Sequence, residues 1–294
     1  MDESKTVTLN NGLTMPKVGL GVWKTTPAEA SQMVATAIAN GYRLIDTAKQ
    51  YGNEAGVGAG LQKGLAENHL KRQDLFVTTK IFNGDQGDYD KVRSAFNDQL
   101  ERLQTDYVDL LLLHWPVFNR YNESWRALED IYKDGQAKAI GVCNFNVAHL
   151  TNLLDHAAIN PQVNQIEFNP RIHQPETVAF CQGNHIQLEA WSPLGNGQLL
   201  TNPVVKQIAD KYGKSSAQVE LRWELQQGFV VIPKSTHSNR MKENMAVFDF
   251  KLDADEMEAI AELDEEKHSI WYDKFKWSGN PEGVEDYIAR NEII

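Results

Sequence analysis

The sequence predicts an α/β fold, a (β/α)8 TIM barrel with an N-terminal β-hairpin and a C-terminal extension. First, eight short apolar segments alternate with stretches of helical spacing, as parallel strands and their crossover helices do. Second, the fourth segment, residues 108–114, is almost continuously apolar, which is typical of a strand buried on both faces. Third, the 294 residues suit one barrel of about 250 residues, so a single domain over residues 1–294 is expected.

The predicted strands of the barrel are residues 18–21, 44–46, 75–80, 108–114, 137–143, 163–167, 186–192 and 230–234. The predicted helices are residues 28–39, 54–65, 89–103, 121–133, 147–158, 176–183, 204–212, 217–226, 239–246 and 253–264, the last with Asp253 as its N-cap. Ahead of the barrel, Asn10-Asn11-Gly12 separates two short extended stretches, and Asn-Gly strongly favours a hairpin turn. Such a hairpin could plug one end of the barrel.

A doubly wound sheet is the alternative architecture for the same alternation of strands and helices. That fold would favour a glycine-rich GxGxxG turn after an early strand, and none is found. The glycines between residues 56 and 60 lie inside a helical pattern and lack the required spacing. The barrel is therefore the preferred prediction.

Composition excludes several classes of partner. Lysine and arginine total 29 against 40 acidic residues, a formal net charge of −11, which argues against general binding to nucleic acid or to membrane surfaces. No apolar run approaches the ~20 residues that a membrane span needs. Two cysteines are too few for a disulfide framework and the start is charged, so we expect a cytoplasmic protein, which we also expect to be a monomer.

Polar residues close three neighbouring predicted strands. Asp46, Lys80 and His114 end the segments LID, FVTTK and DLLLLH, and Tyr51 follows in the loop after the first of these. In a βα barrel the strand ends and loops at the C-terminal face carry the chemistry. We therefore expect these four side chains to converge at the mouth of the barrel.

Together these residues form a coherent set for acid catalysis. The phenol of Tyr51, with a pKa of about 10, is a poor acid until a nearby ammonium such as Lys80 lowers that value. Asp46 would pair with Lys80, and a neutral His114 would donate a hydrogen bond to a carbonyl oxygen that becomes an alkoxide. A structural ion pair and a satisfied core histidine remain as alternatives. A metal site is disfavoured, because lysine is a poor ligand and only one histidine is present.

Seven motifs spread along the chain resemble those of the aldo-keto reductase family, in the same order. They are IDTAKQYGNE, LFVTTK, LQTDYVDLLLLHWP, AIGVCNF, VNQIEFNP, AWSPLG and IPKSTHSNR, and the resemblance runs from about residue 9 to residue 264. The chain is most similar to the bacterial 2,5-diketo-D-gluconate reductase-like branch, where Trp stands for the usual Tyr in AWSPLG. The resemblance implies a barrel that reduces carbonyl compounds with NADPH, with Tyr51 as the proton donor beside Asp46, Lys80 and His114.

The resemblance also implies a site for NADPH/NADP+. Asn144 and Gln165 carry amides suited to a nicotinamide carboxamide, Trp191 can stack on the ring, and Cys143 replaces the family's usual Ser with a weaker donor. Backbone at Ser192, Pro193, Leu194 and Gly195 would run beside the pyrophosphate. The complete implied set adds Gly21, Val22, Trp23, Asp46, Lys234, Ser235, Thr236, Arg240 and Asn244. Core packing for Trp191 and a solvated helix start for Lys234 and Arg240 are the alternatives.

The substrate is a small carbonyl compound in this interpretation. Trp23, Phe82 and Trp115 would line the mouth with Tyr51 and His114, and the tail aromatics Trp271 and Trp277 would line or cover it. Lys49 could favour an acidic sugar, although a solvated loop lysine is the preferred interpretation. Two other functions stay open, a non-catalytic nucleotide-binding regulator and a lyase or isomerase that uses Lys80 as a Schiff base.

Overall fold

The computed structural model of the protein describes residues 4–117 and 119–268. Ten strands lie within these residues: β1 Thr6–Thr8, β2 Thr14–Pro16, β3 Leu20–Gly21, β4 Leu44–Asp46, β5 Phe76–Ile81, β6 Leu110–Leu113, β7 Ile140–Cys143, β8 Val163–Glu167, β9 Gln187–Trp191 and β10 Val230–Val231. The helices of the same residues are α1 Pro27–Ala39, α2 Glu54–Glu67, α3 Tyr89–Leu103, α4 Tyr121–Lys133, α5 Val147–His156, α6 Pro175–Gly183, α7 Pro203–Tyr212, α8 Ser216–Gln226, α9 Ser238–Met245 and α10 Ala254–Ala261.

Strands β3 to β10 form one parallel sheet in chain order, and the sheet closes on itself. The closing contact is a parallel bridge between Val18 and Val231. The Gly19 amide donates to the Val231 carbonyl at 2.8 Å, and the Val231 amide donates to the Lys17 carbonyl at 2.9 Å. A Cβ on Gly21 would lie 2.9 Å from the Ile232 carbonyl oxygen, so this strand needs glycine where the ring closes. The (β/α)8 fold is confirmed.

The predicted hairpin is confirmed and plugs the barrel. Strands β1 and β2 pair antiparallel around Gly12, whose φ of +85° favours glycine. Leu9 and Met15 of this hairpin are buried in an apolar cluster with strand residues such as Leu44 and Leu110. Strand side chains alternate between two faces, and this inner cluster is separate from the larger core between strands and helices. The N-terminal end of the barrel is thus filled with apolar side chains.

All eight predicted barrel strands are present, but several ends differ. Strand β10 has only two residues because Pro233 follows it closely and has no N–H to donate to a ladder. Strand β5 runs one residue past Lys80, and His114 lies just after β6. Asp253 caps α10 as predicted, accepting from the Glu256 amide. Trp271 and Trp277 lie outside the described residues, and no helix within them is long and apolar enough to cross a membrane.

Candidate active site

The structure brings Asp46, Tyr51, Lys80 and His114 together at the C-terminal mouth of the barrel. Lys80 Nζ donates to both carboxylate oxygens of Asp46, at 2.7 and 2.8 Å, and to the Thr47 carbonyl at 2.9 Å. The same nitrogen lies 3.5 Å from the Tyr51 hydroxyl. On the other side, the His114 ring meets the Tyr51 ring edge-on, with 5.8 Å between centroids. The hydroxyl of Tyr51 thus lies in a pocket that contains an ammonium and an imidazole.

The Asp46–Lys80 ion pair is buried, and neither side chain exposes more than 2% of its surface. Burial is the largest single effect and lowers the pKa of Lys80, but Asp46 together with Tyr51 and Cys143 raises it by more, so the net direction is upward. Lys80 is therefore a permanent cation with three short hydrogen bonds. An ammonium held in this way is a fixed positive charge rather than a nucleophile.

The net pKa of Tyr51 differs from the sequence-based prediction. Burial raises it above the usual value of a phenol, the charge of Lys80 lowers it, and Asp46 and Cys143 raise it again. The predicted effect of the ammonium is present, but burial dominates the sum. Tyr51 is therefore a protonated phenol that releases its proton only to a strongly basic acceptor.

His114 is neutral. Burial, together with the nearby charge of Lys80, holds its pKa well below the usual range, so the imidazole carries no charge at physiological pH. Its Nδ1 atom has no hydrogen-bond partner among residues 4–117 and 119–268. The neutral ring can donate one hydrogen bond.

Asp46 is also held from the far side of the barrel, by residues on β8 and β9. Gln165 Nε2 donates to Asp46 Oδ2 at 2.9 Å and to Glu189 Oε2 at 2.7 Å. Glu189 is fully buried and was missed by the sequence reasoning. The signal that could have found it is an acidic residue in the centre of a strand expected to be buried on both faces.

The two amides expected to hold a carboxamide lie beside this cluster. Asn144 has a left-handed backbone, with φ of +65°, directly after β7. Its Nδ2 donates to the His114 carbonyl at 3.1 Å, and its Oδ1 accepts from Trp191 Nε1 at 2.8 Å. Cys143 Sγ lies 3.6 Å from Gln165 Oε1, a weak contact. These hydrogen bonds hold Asn144, Trp191 and Gln165 in place at the C-terminal end of the barrel.

The loop after β9 is shaped by its backbone. Ser192 and Gly195 both have positive φ, of +53° and +47°. Asn169 Nδ2 donates to the Ser192 carbonyl at 3.2 Å, which fixes the start of the loop. The predicted stretch Ser192 to Gly195, with Pro193 buried and Leu194 half-buried, lies directly after Trp191 at the mouth.

A group of cations lies where β3 and β10 end. Lys234 Nζ donates to the Lys24 carbonyl at 3.2 Å, and Lys24 Nζ lies 4.3 Å from the centroid of the Trp23 ring. Arg240 is exposed on the first turn of α9 and makes no side-chain hydrogen bond or ion pair within the described residues. The other residues predicted to bind the cofactor in this region differ in exposure. Gly21 and Val22 are buried at the end of β3, Ser235 and Asn244 are also buried, and Thr236 is exposed.

The predicted substrate wall is aromatic. Trp23 and Phe82 are half-buried after β3 and β5, and Trp115 is buried after His114. Lys49 is partly exposed but is not a free loop lysine: its Nζ lies 2.6 Å from Asp85 Oδ2, and this ion pair joins the loops after β4 and β5. In the part of the chain that the structure describes, no group of three or more His, Cys, Asp or Glu residues is placed to hold a metal ion.

Comparison with known proteins agrees with this geometry. The profile of the Aldo/keto reductase family matches residues 14–265. The chain is 52% identical to the glyoxal reductase of Bacillus subtilis over 263 residues, covering 89% of this chain and 94% of that protein. It is 43% identical to the methylglyoxal reductase DkgA of Escherichia coli over 265 residues, with coverage of 89% and 94%. An aldo-keto reductase of Bombyx mori, solved in complex with NADP, superposes with a TM-score of 0.87 at 36% identity, over 92% and 96% of the two chains.

A parallel (β/α)8 barrel with this polar cluster at its mouth defines a barrel oxidoreductase, an enzyme that reduces carbonyl groups. More narrowly, the chain belongs to the aldo/keto reductase family, whose profile covers most of its length. The family predicted from the motifs is confirmed, and its members use nicotinamide cofactors.

Proposed function

We propose that this protein is an NADPH-dependent reductase of small aldehydes and ketones, with Tyr51 as the proton donor. The observation that carries the proposal is the position of the Tyr51 hydroxyl, 3.5 Å from Lys80 Nζ and beside the neutral ring of His114. This arrangement provides a proton and a hydrogen-bond donor at one point of the mouth. A carbonyl oxygen that gains charge during reduction needs both.

Each residue of the cluster has a distinct task in this proposal. His114 donates a hydrogen bond that orients the carbonyl oxygen towards Tyr51. Tyr51 then transfers its proton to that oxygen, and the ammonium of Lys80 stabilises the tyrosinate that remains. Asp46 keeps the ammonium in place, since an unpaired buried charge is costly. Because the pKa of Tyr51 is raised, the phenol gives up its proton only after negative charge has developed on the carbonyl oxygen of the substrate.

The described residues fit a nicotinamide dinucleotide, which would supply the hydride. Trp191 is half-buried and donates to Asn144, and Gln165 lies on the neighbouring β8, so the indole and the two amides are available to a planar ring with a carboxamide. Arg240 is an exposed guanidinium without a side-chain partner within the described residues, six positions after Lys234, and a phosphate is a ligand that such a group binds bidentately. We therefore assign the 2′-phosphate of NADPH to Arg240, with Lys234, Ser235 and Thr236 as further donors.

Small carbonyl compounds, including dicarbonyls of the glyoxal and methylglyoxal type, are the proposed substrates. Trp23, Phe82 and Trp115 form a wall that is apolar and has few charges of its own. The ion pair between Lys49 and Asp85 neutralises the lysine that could have selected an acidic sugar. Two similar proteins are named for the reduction of glyoxal and methylglyoxal, which are small dicarbonyl compounds.

The test is oxidation of NADPH, followed at the nicotinamide absorbance, with a panel that includes methylglyoxal, glyoxal and larger aldehydes. Wild type should consume NADPH with the small dicarbonyls, and Tyr51→Phe should bind NADPH with unchanged affinity but lose turnover. Lys91→Met serves as a matched control, because this exposed helix residue lies outside the candidate site. Turnover in Tyr51→Phe equal to that of wild type would refute the proposed proton donor.

The same assay separates two other functions. A nucleotide-binding regulator would bind NADPH without oxidising it in the presence of any carbonyl. A lyase or isomerase with Lys80 as a Schiff base would form a borohydride-trappable adduct and need no nicotinamide. The short hydrogen bonds of Lys80 to Asp46 disfavour the Schiff base, because that chemistry needs a neutral amine.

A single domain over residues 1–294 that works as a cytoplasmic monomer stays a prediction. Cys143 and Cys181 are both free and buried, which suits a reducing compartment. Sedimentation velocity of the full chain, with and without NADPH, measures its oligomeric state.

A further inference from the structure

A second carboxyl group lies next to the Asp46–Lys80 pair, and the proposed mechanism does not use it. Glu189 is on β9, in register with Gln165 of β8 and Val230 of β10. Its side chain is fully buried. Oε2 accepts from Gln165 Nε2 at 2.7 Å, and Oε1 has no hydrogen-bond partner within the described residues. A buried carboxyl with an unpartnered oxygen in the barrel interior needs a physical reason.

Glu189 and Asp46 are joined through a single nitrogen atom. Gln165 Nε2 has two hydrogens and donates one to Glu189 and one to Asp46 Oδ2. Both hydrogens of this nitrogen are therefore used, and the orientation of the amide depends on both acceptors. A continuous chain of contacts runs from Glu189 through Gln165 and Asp46 to Lys80, and from there to the hydroxyl of Tyr51.

Burial and the charges around Glu189 determine its protonation. Asp46, Lys80 and Cys143 are the titratable groups that act on it or respond to it. Burial raises the pKa of Glu189 most, Asp46 raises it further, and Gln165 and Lys80 lower it, so that the net value is about 8. Burial also raises the pKa of Cys143, which stays a neutral thiol. At neutral pH Glu189 is thus a neutral carboxylic acid close to the Asp46–Lys80 ion pair.

We propose that Glu189 is a positioning residue for the reduction: its neutral side chain holds Gln165 against Asp46, and loss of its proton weakens proton donation by Tyr51. The inference rests on the proposed function. Ionised Glu189 would place a second negative charge beside the ion pair that stabilises the tyrosinate. The tyrosinate is then less favourable, so Tyr51 gives up its proton less readily and turnover falls.

The first test is the pH dependence of kcat with NADPH and methylglyoxal saturating, from about pH 6 to about pH 10. Wild type should lose activity through an inflection near pH 8, where Glu189 loses its proton. Glu189→Gln keeps an acceptor for Gln165 but cannot ionise, so its inflection should move up by about one unit or more. Each profile is scaled to its own plateau, so a uniform loss of activity does not affect the comparison.

Glu220→Gln is the matched control. Glu220 is a buried carboxyl on α8 whose pKa burial also raises to about 8, but it is not part of the polar cluster. Its variant should keep the wild-type profile. Glu189→Leu removes the acceptor as well as the charge, and should lower kcat more than it changes KM. Coincident profiles of wild type and Glu189→Gln would overturn the proposal, as would an equal shift in the control.

A second measurement does not depend on turnover. The infrared difference spectrum of wild type minus Glu189→Gln should contain the C=O band of a protonated carboxylic acid at neutral pH, and this band should vanish as the pH rises past 8. No such band would mean that Glu189 is already ionised, and the proposal fails. Failure of the proposed function itself is seen separately, as turnover that persists in Tyr51→Phe.

Discussion

Replacing Lys80 by methionine tests both the stability and the chemistry of the site. Methionine fills a similar volume without the charge, so Asp46 is left in the barrel with Gln165 as its remaining side-chain donor. Lys80 exposes 0% of its side chain and Asp46 2%, so solvent can replace little of the lost interaction. Breaking a buried pair by removing one partner costs about 3–5 kcal/mol. We expect the free energy of unfolding to fall by that amount at neutral pH.

The assay is urea denaturation followed by circular dichroism, at neutral and at acidic pH. In the variant, the unpaired Asp46 has a higher pKa in the folded protein than in the unfolded chain. Protonation at low pH therefore stabilises the folded variant, and its loss of stability relative to wild type should shrink as the pH falls. The double variant Asp46→Asn with Lys80→Met removes both charges and should recover part of the loss. Lys49→Met is the control: its ion pair is 31% and 13% exposed, and its loss should stay within about 1 kcal/mol.

The same Lys80→Met variant should change catalysis. Without the ammonium, the burial and Asp46 contributions that raise the pKa of Tyr51 are unopposed, so the phenol becomes a weaker acid and the pH–rate profile moves. Two results would refute the reasoning: a stability loss no larger than that of Lys49→Met, or an unchanged pH–rate profile at reduced rate. The first would mean that the pair is not effectively buried, and the second that Lys80 does not act on Tyr51.

Three further predictions follow from individual groups. Tyr51→Phe should lose ~10²–10⁴-fold in kcat with unchanged affinity for NADPH in fluorescence titration, because the general acid is gone. Arg240→Ala should raise KM for NADPH roughly ten- to a hundredfold and leave NADH unchanged; an equal loss for both would place Arg240 elsewhere on the dinucleotide. Glu220→Gln should stabilise the fold by roughly 1–4 kcal/mol at pH 8 and little at pH 5, since the pKa of Glu220 rises from its ordinary value to about 8 on folding and stability is lost as pH rises between them. Denaturation midpoints that respond equally at both pH values would contradict this last prediction.

Much of the fold and the central cluster could be predicted because the signals were local. An apolar segment that ends in Asp46, or one that contains Lys80 near its end, predicts both a strand and the face of the barrel on which its last side chain lies. The Asn-Gly pair predicted the hairpin. The N-terminal end of α10 was predicted from a single residue, the N-cap Asp253. The strand ends moved by one or two residues, because ladder bonds depend on the neighbouring strand as well as on the sequence.

The missed features depend on contacts between distant parts of the chain. Glu189 looks like a polar residue on an ordinary strand, and its place beside Asp46 requires the closed barrel. Glu220 and Glu224 have the i, i+4 spacing of a solvated helix face, yet both are buried with no hydrogen bond to their carboxyl oxygens within the described residues. The sign of the pKa shift of Tyr51 is a sum of opposed effects, so the depth of burial had to be known.

The proposed proton donor, Tyr51, is on a loop rather than on a strand, and contacts on both sides hold this loop in place. Loops are usually mobile, and catalysis loses rate when a reacting group is misplaced by even about 1 Å. This loop is fixed at both ends. Before Tyr51, Lys49 is paired with Asp85.

After Tyr51, Asn53 donates to the Val22 carbonyl at 2.9 Å, and Glu54 accepts from Thr79 at 2.6 Å and from Arg102 at 2.7 Å. Gln99 donates to Glu54 at 2.8 Å and to the Lys80 carbonyl at 3.1 Å, so the same network positions the strand that carries the ammonium. The phenol and its ammonium partner are therefore held by one shared set of buried contacts, and the short distance between them follows from the framework rather than from the weak contact between the two groups.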